Sequence, residues 1–177
     1  MINYFDFFGL DVCILINEAD LKEKFYANTR KFHPDMHGNS DENNQSEVLA
    51  KSVLNNKAYK TLSNFNLRVH HLLEVSGLVN DELKYQLPQE FLMEMMDLND
   101  EIAELDDDIA DEKQHDLIEK INHLIGISNQ EIIENDLKIT DNEQIRTKKL
   151  NKIRELYFKK KYLLRIQDSL NKFTARS

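Results

Sequence analysis

Two groups of residues in this chain have the types and spacing to make specific contacts, and a third invites a test for metal binding. His33-Pro34-Asp35 closes a stretch of helical periodicity and opens a polar one. The Pro34 ring fixes the local backbone so that its neighbours project. Asp35 supplies an anion for charge-assisted hydrogen bonds to a guanidinium, and His33 supplies ring nitrogens. Lys22, Lys24, Arg30 and Lys31 precede the tripeptide, interspersed with Glu18, Asp20 and Glu23. The second group is Leu92, Met93, Met96, Asp97, Asp100 and Glu104. On a helix, Met93, Met96, Asp97, Asp100 and Glu104 fall on one side at steps of three and four. Methionines beside carboxylates suit an adaptable binding surface. The third group would be metal ligands. His33, Asp35 and His37 lack a further His or Cys on a second element. Glu112-Lys113-Gln114-His115 offers one Glu-x-x-His where a di-iron bundle needs two. Cys13, within Val12–Ile16, reads as a small buried hydrophobe. The expectation is a protein that works by binding, with no catalytic residue, metal or cofactor.

The elements that would position these groups read as helices throughout. Residues 3–8 are aromatic and end at Gly9-Leu10, a turn of helix with a glycine stop. Asn17 caps the next helix, with Asp20 three positions on. Its inward residues are Leu21, Phe25, Phe32 and either Tyr26 or Thr29, and Pro34 ends it. Residues 36–46 read as a loop, with a helix resuming near Ser46 or Glu47 and turning Val48, Leu54, Ala58 and Leu62 inward. A short helix over 65–76 precedes Gly77; on it His70 and His71 face different sides, one at the surface and one packed.

Gly77, Asn80, Asp81 and Pro88 mark a domain boundary, giving expected units at 1–76 and 89–177 joined by 77–88. Beyond it, Phe91, Met95, Leu98, Ile102, Leu105 and Ile109 form the seam of one long helix. Leu117, Ile118, Ile121, Leu124 and Ile125 mark a second helix, stopping at Gly126. Ile132, Ile133 and Leu137 suggest a short helix or turn. Ile153, Leu156, Tyr157, Leu163, Leu164 and Leu170 mark a closing helix from which Phe158 and Tyr162 point away. Three antiparallel helices would share these stripes.

Composition narrows the function classes. Four Gly and two Pro leave few turns for a β-rich fold, and 41% hydrophobic residues suffice for a core. A net charge of −9 argues against nucleic acid as the main ligand. Thirteen acidic residues from Glu90 to Glu119 face one Lys113, while eleven basic residues from Arg146 to Arg176 face Glu155 and Asp168. These arms are expected to neutralise one another across the bundle, each pair adding only ~0–1 kcal/mol. The apolar run near Cys13 is too short to span a bilayer, and the start has no basic leader region. The expected setting is the cytoplasm, with no membrane partner.

His33-Pro34-Asp35 after an amphipathic helix, with Asn56-Lys57-Ala58-Tyr59-Lys60-Thr61-Leu62 on the next, resembles the J domain. Asn3-Tyr4-Phe5-Asp6-Phe7-Phe8-Gly9-Leu10 and Phe91-Leu92-Met93-Glu94 extend the likeness to the HscB-type co-chaperones of iron–sulfur cluster assembly, almost end to end. The resemblance implies an all-α fold, a J domain followed by a three-helix bundle. It implies that His33, Pro34, Asp35, Arg30, Lys31, Lys22 and Lys24 meet a DnaK-type (HscA-like) chaperone and stimulate its ATPase. It also implies that Leu92, Met93, Met96, Asp97, Asp100, Glu104 and Phe158 hold an iron–sulfur scaffold (IscU-like). Asp97 and Asp100 stand where Glu is expected, and Met96 where Leu is. Some members bind zinc through paired cysteines before the J domain; this sequence has none. The alternative is a J-domain co-chaperone for a different client.

Overall fold

The computed structural model describes residues 2–33, 42–79, 85–105, 110–137 and 142–174. Among them every regular element is helical, as expected. In chain order these are α1 (Tyr4–Phe8), α2 (Glu18–Lys31), α3 (Glu42–Ser63), α4 (Phe65–Val75), α5 (Gln89–Ala103), α6 (Ala110–Glu134) and α7 (Glu143–Thr174). The chain divides into two compact units, Met1–Leu78 with Leu137–Ile139, and Val79–Asp136 with Thr140–Ser177.

Asparagine starts most of these helices. The side chains of Asn3, Asn17, Asn64 and Asn142 accept hydrogen bonds from first-turn amides of α1, α2, α4 and α7. A short polar side chain can satisfy an amide that the helix leaves without a partner. Glycines finish two helices. Gly9 (φ 59°) and Gly77 (φ 70°) are left-handed. Each donates to the carbonyl three residues back, and the residue after it donates five back: Leu10 to Phe5, Leu78 to Leu73. Both ends are Schellman closures.

In the first unit α2 and α3 pack together, with α1 against both and α4 against α3. Phe5, Phe8, Leu21, Ala58, Leu62, Val69 and Leu72 are buried. At ~1.5–3 kcal/mol for each large apolar side chain, this burial outweighs the weak propensity of a five-residue α1. His71 is the packed histidine expected and His70 the more exposed one. The His71 Nε2 accepts the Tyr4 amide at 3.0 Å, and its ring stacks on Tyr4 at 4.3 Å. Burial holds its pKa below the ordinary 6.5. Asn55 on α3 is buried and donates to the Phe25 carbonyl (3.2 Å) and to Thr29 Oγ1 (3.1 Å), pinning α3 to α2.

In the second unit α6 and α7 form a long hairpin, and α5 covers part of it. Phe91, Met95 and Leu98 from α5, Leu117 and Ile121 from α6, and Leu163, Ile166 and Leu170 from α7 make one core cluster.

Several boundaries differ from expectation. Helix α3 begins at Glu42 rather than near Ser46, because a polar first turn carries no apolar period to mark it. Helix α6 runs through Gly126, whose backbone stays helical, and takes in Ile132 and Ile133. A mid-helix glycine costs only ~1 kcal/mol, less than the packing on either side contributes. Helix α5 ends at Ala103, short of the full seam, and Ile109 lies outside the described residues. Tyr162 packs edge-on against Phe91 (5.9 Å) instead of pointing away. Among the described residues no ion pair joins α5 to α7. Lys120 on α6 pairs with Glu101 on α5 at 2.9 Å, and Lys152 on α7 with Glu131 on α6 at 3.5 Å.

Candidate functional site

The first candidate surface is the end of α2. Leu21, Phe25, Thr29 and Phe32 turn toward α3, which leaves an arc of about 200° for the charged residues at 100° per residue. Lys22, Tyr26 and Arg30 line one flank at steps of four, and Lys24 and Lys31 the other. Lys22, Arg30, Lys31 and His33 are exposed. Arg30 and Lys31 occupy the last turn, where cations complement the helix dipole. Lys24 is already engaged: its Nζ donates to the Gly9 carbonyl at 3.1 Å and pairs with Asp20 at 3.1 Å. His33 lies one residue past the cap, its amide 3.5 Å from the Arg30 carbonyl. Pro34 and Asp35 lie outside the described residues. Tyr26 resolves the open choice on this helix: Thr29 is inward and Tyr26 is 53% exposed, bordering a depression with Glu23, Thr29 and Arg30. An exposed aromatic between two cations is a surface feature that periodicity alone did not isolate.

The second candidate surface is the outer face of α5. With Phe91, Met95 and Leu98 turned into the core, Leu92, Met93 and Met96 are left 41%, 61% and 66% exposed. Asp97, Asp100 and Glu104 are exposed along the same side. Three neighbouring apolar side chains on a surface mark an interaction site more often than chance exposure. Glu104 caps α5, its amide on the Asp100 carbonyl at 3.1 Å. It also borders a crevice of about 310 Å³ between α5 and α6, floored by Leu105 and Leu117. The five residues that spacing puts on one side of α5, and Leu92 beside them, are all exposed.

Phe158 is placed differently from the exposed position expected. Its ring lies under Tyr85, stacked at 4.7 Å with planes 7° apart, and meets Tyr157 edge-on at 5.2 Å. The Arg154 guanidinium stands 5.1 Å from the Tyr85 ring. Burial, then Glu155, raises the Tyr85 pKa, so its phenol stays neutral. Tyr85 precedes α5 in a non-helical segment, where no periodicity flags it.

Lys160 is another residue the sequence concealed. It occupies a seam position on α7, 6% exposed, and donates from Nζ to Asn129 Oδ1 on α6. Burial lowers its pKa from 10.5 to about 8. Among the described residues no cluster of three His, Cys, Asp or Glu could hold a metal ion, and no helix is long and apolar enough to cross a membrane. His115 pairs with Glu119 at 3.4 Å.

Comparison with known proteins bears on these surfaces. Residues 87–171 match a family model described as the HSCB C-terminal oligomerisation domain. A co-chaperone protein HscB from Buchnera aphidicola subsp. Acyrthosiphon pisum (strain Tuc7) is 34% identical over 173 residues, 96% of this chain and 94% of that protein. An HscB homolog from Psychromonas ingrahamii is 28% identical, covering 72% of this chain and 76% of its own. The crystal structure of human co-chaperone protein HscB superposes with a TM-score of 0.74 at 18% identity, over 100% of this chain and 84% of that one. Chaperone HscB from Vibrio cholerae gives 0.69 at 19% identity over 99% of both chains. These two likenesses concern the fold, and the Buchnera relative extends the kinship to sequence along nearly the whole length. The chain belongs to the HscB family of co-chaperones.

Proposed function

We infer that this co-chaperone acts in iron–sulfur cluster assembly by holding two partners at once and performing no chemistry of its own. Residues 1–76 serve as a J domain. His33, Pro34, Asp35, Arg30 and Lys31, with Lys22 and Tyr26 alongside, engage a DnaK-type chaperone in the cytoplasm and stimulate its ATPase. Lys24 serves chiefly to close the end of α1. Residues 89–177 bind an iron–sulfur scaffold protein through Leu92, Met93, Met96, Asp97, Asp100 and Glu104, with Phe158 at the edge. Hydrolysis then locks the chaperone onto the scaffold and promotes cluster transfer. Tethering raises the scaffold's concentration at the chaperone, so two modest affinities suffice.

The observation that carries the reading is the exposed Leu92–Met93–Met96 face bordered by carboxylates, in a chain of this family. The test is steady-state ATP hydrolysis by the cognate chaperone, with this protein and the scaffold added separately and together. Stimulation by the wild type, synergy with scaffold and loss of stimulation in His33→Gln are expected. Met93→Ala with Met96→Ala should keep basal stimulation and lose the synergy, through scaffold binding weakened about tenfold or more. Stimulation without synergy would move the client elsewhere. No stimulation from a folded protein would refute the chaperone half.

A further inference from the structure

Phe158 presents a puzzle of burial. On α7, Ile153, Lys160 and Gln167 face α6: Lys160 reaches Asn129, and Gln167 Nε2 donates to Asn122 Oδ1 at 2.6 Å. At 100° per residue Phe158 falls nearly opposite that stripe, so α6 cannot shield it. It is half-buried all the same, and the ring lying parallel to it is Tyr85.

Tyr85 is not recruited there by the core. The core anchor of its segment is Leu87, which packs against the cluster, and Pro88 then starts α5. The Tyr85 ring spans the outer face of α7 instead, near Arg154 and over Phe158, four residues apart on the same side. This aromatic pair lies on the side of α7 near the start of α5. Lys159, next to Phe158, holds its ammonium 5.5 Å over Phe91, and Leu92 follows Phe91. The Leu92 amide in turn bonds to the Pro88 carbonyl at 3.1 Å, three residues from Tyr85.

We propose that Tyr85 is a further scaffold-contacting residue, forming with Phe158 one aromatic platform that continues the Leu92–Met93–Met96 face and takes an apolar side chain of the scaffold. A stacked pair outside the core contributes large, rigid contact area at small entropic cost, which is why tyrosine concentrates at binding hot spots. The Arg154 guanidinium stands 5.1 Å from the Tyr85 ring, whereas the exposed face of α5 carries Asp97, Asp100 and Glu104. A partner side chain seated on Tyr85 therefore has a cationic neighbour and one seated along α5 has anionic ones, which orients the scaffold.

The proposal rests on the scaffold-binding reading, and the test separates the two. Scaffold affinity is measured by titration calorimetry for wild type, Tyr85→Ala, Tyr85→Phe, Phe158→Ala, the double alanine variant and Met93→Ala with Met96→Ala. Tyr85→Ala and Phe158→Ala should each weaken binding about tenfold, the double by less than the hundredfold product, and Tyr85→Phe by less than about twofold. Tyr85→Ala within twofold of wild type, or tighter, overturns the proposal while a weakened methionine variant keeps the scaffold reading. A methionine variant that binds like wild type sinks that reading instead. Because the chain has no tryptophan, Tyr85→Trp provides a second arm. Its emission should change on adding a tryptophan-free scaffold, and an unchanged spectrum at saturating scaffold overturns the proposal even if Tyr85→Ala proves unstable.

Discussion

Replacing Lys160 by methionine should stabilise the protein at neutral pH. The side chain sits 6% exposed on the seam of α7, and burial lowers its pKa from 10.5 to about 8. At about 1.4 kcal/mol per pH unit, holding the ammonium charged at pH 7 costs at most ~3.5 kcal/mol relative to the unfolded chain. Its bond to Asn129 and its other interactions offset part of that, leaving a net gain of ~1–2 kcal/mol for Lys160→Met. The sign with pH follows from a folded-state pKa below the unfolded one. The group's contribution is complete above pH 10.5, falls as pH drops toward about 8, and is constant below. The advantage of methionine should therefore be largest at pH 7 and shrink toward pH 10.5. Urea midpoints for both variants at pH 7 and pH 10 measure it, since other groups titrate alike in each and cancel. A melting temperature about 4 °C higher at pH 7 is expected. A methionine variant less stable by more than ~1 kcal/mol, or a difference independent of pH, would refute the reasoning by showing that the Lys160–Asn129 bond outweighs its burial.

Two further outcomes concern the first and second units separately. His71 accepts the Tyr4 amide only while neutral, so the first unit should lose stability as pH falls below about 6.5, and His71→Gln should flatten that dependence in thermal melts at pH 5 and 7. Gly126→Ala should raise the unfolding free energy measured in urea by ~0.5–1 kcal/mol, because the residue is helical and an added methyl meets nothing within 4 Å. Gly77→Ala, at φ +70°, should lower stability by ~1 kcal/mol, and equal responses would contradict the helical reading of Gly126.

Features with a strong local cause were legible in the sequence. Asn17 caps α2, Gly9 and Gly77 end helices, and the apolar period of Phe91, Met95 and Leu98 fixes which way α5 faces, leaving Met93 and Met96 outside. The period is silent about its own ends, which is why the polar first turn of α3 read as loop. Gly126 misled because glycine signals a stop only where a left-handed turn follows, and here packing on both sides holds the helix. Lys160 was concealed since long basic side chains normally reach solvent, and nothing local shows that α6 closes over this one. Phe158 is not left exposed as its spacing implied, because its cover comes from Tyr85, 73 residues earlier in the chain, beyond the reach of any helical period.

The hydrogen bond from the Tyr4 amide to His71 spans 67 residues. A helix of five residues has no lasting existence in water by itself, so α1 acquires form against α2 and α3, and the bond to α4 secures it only when the far end of the unit is in place. This stretch is thus among the last of its unit to be fully secured. The speed of closing this long loop, more than helix formation, sets how long Phe5 and Phe8 stay incompletely covered while the unit folds.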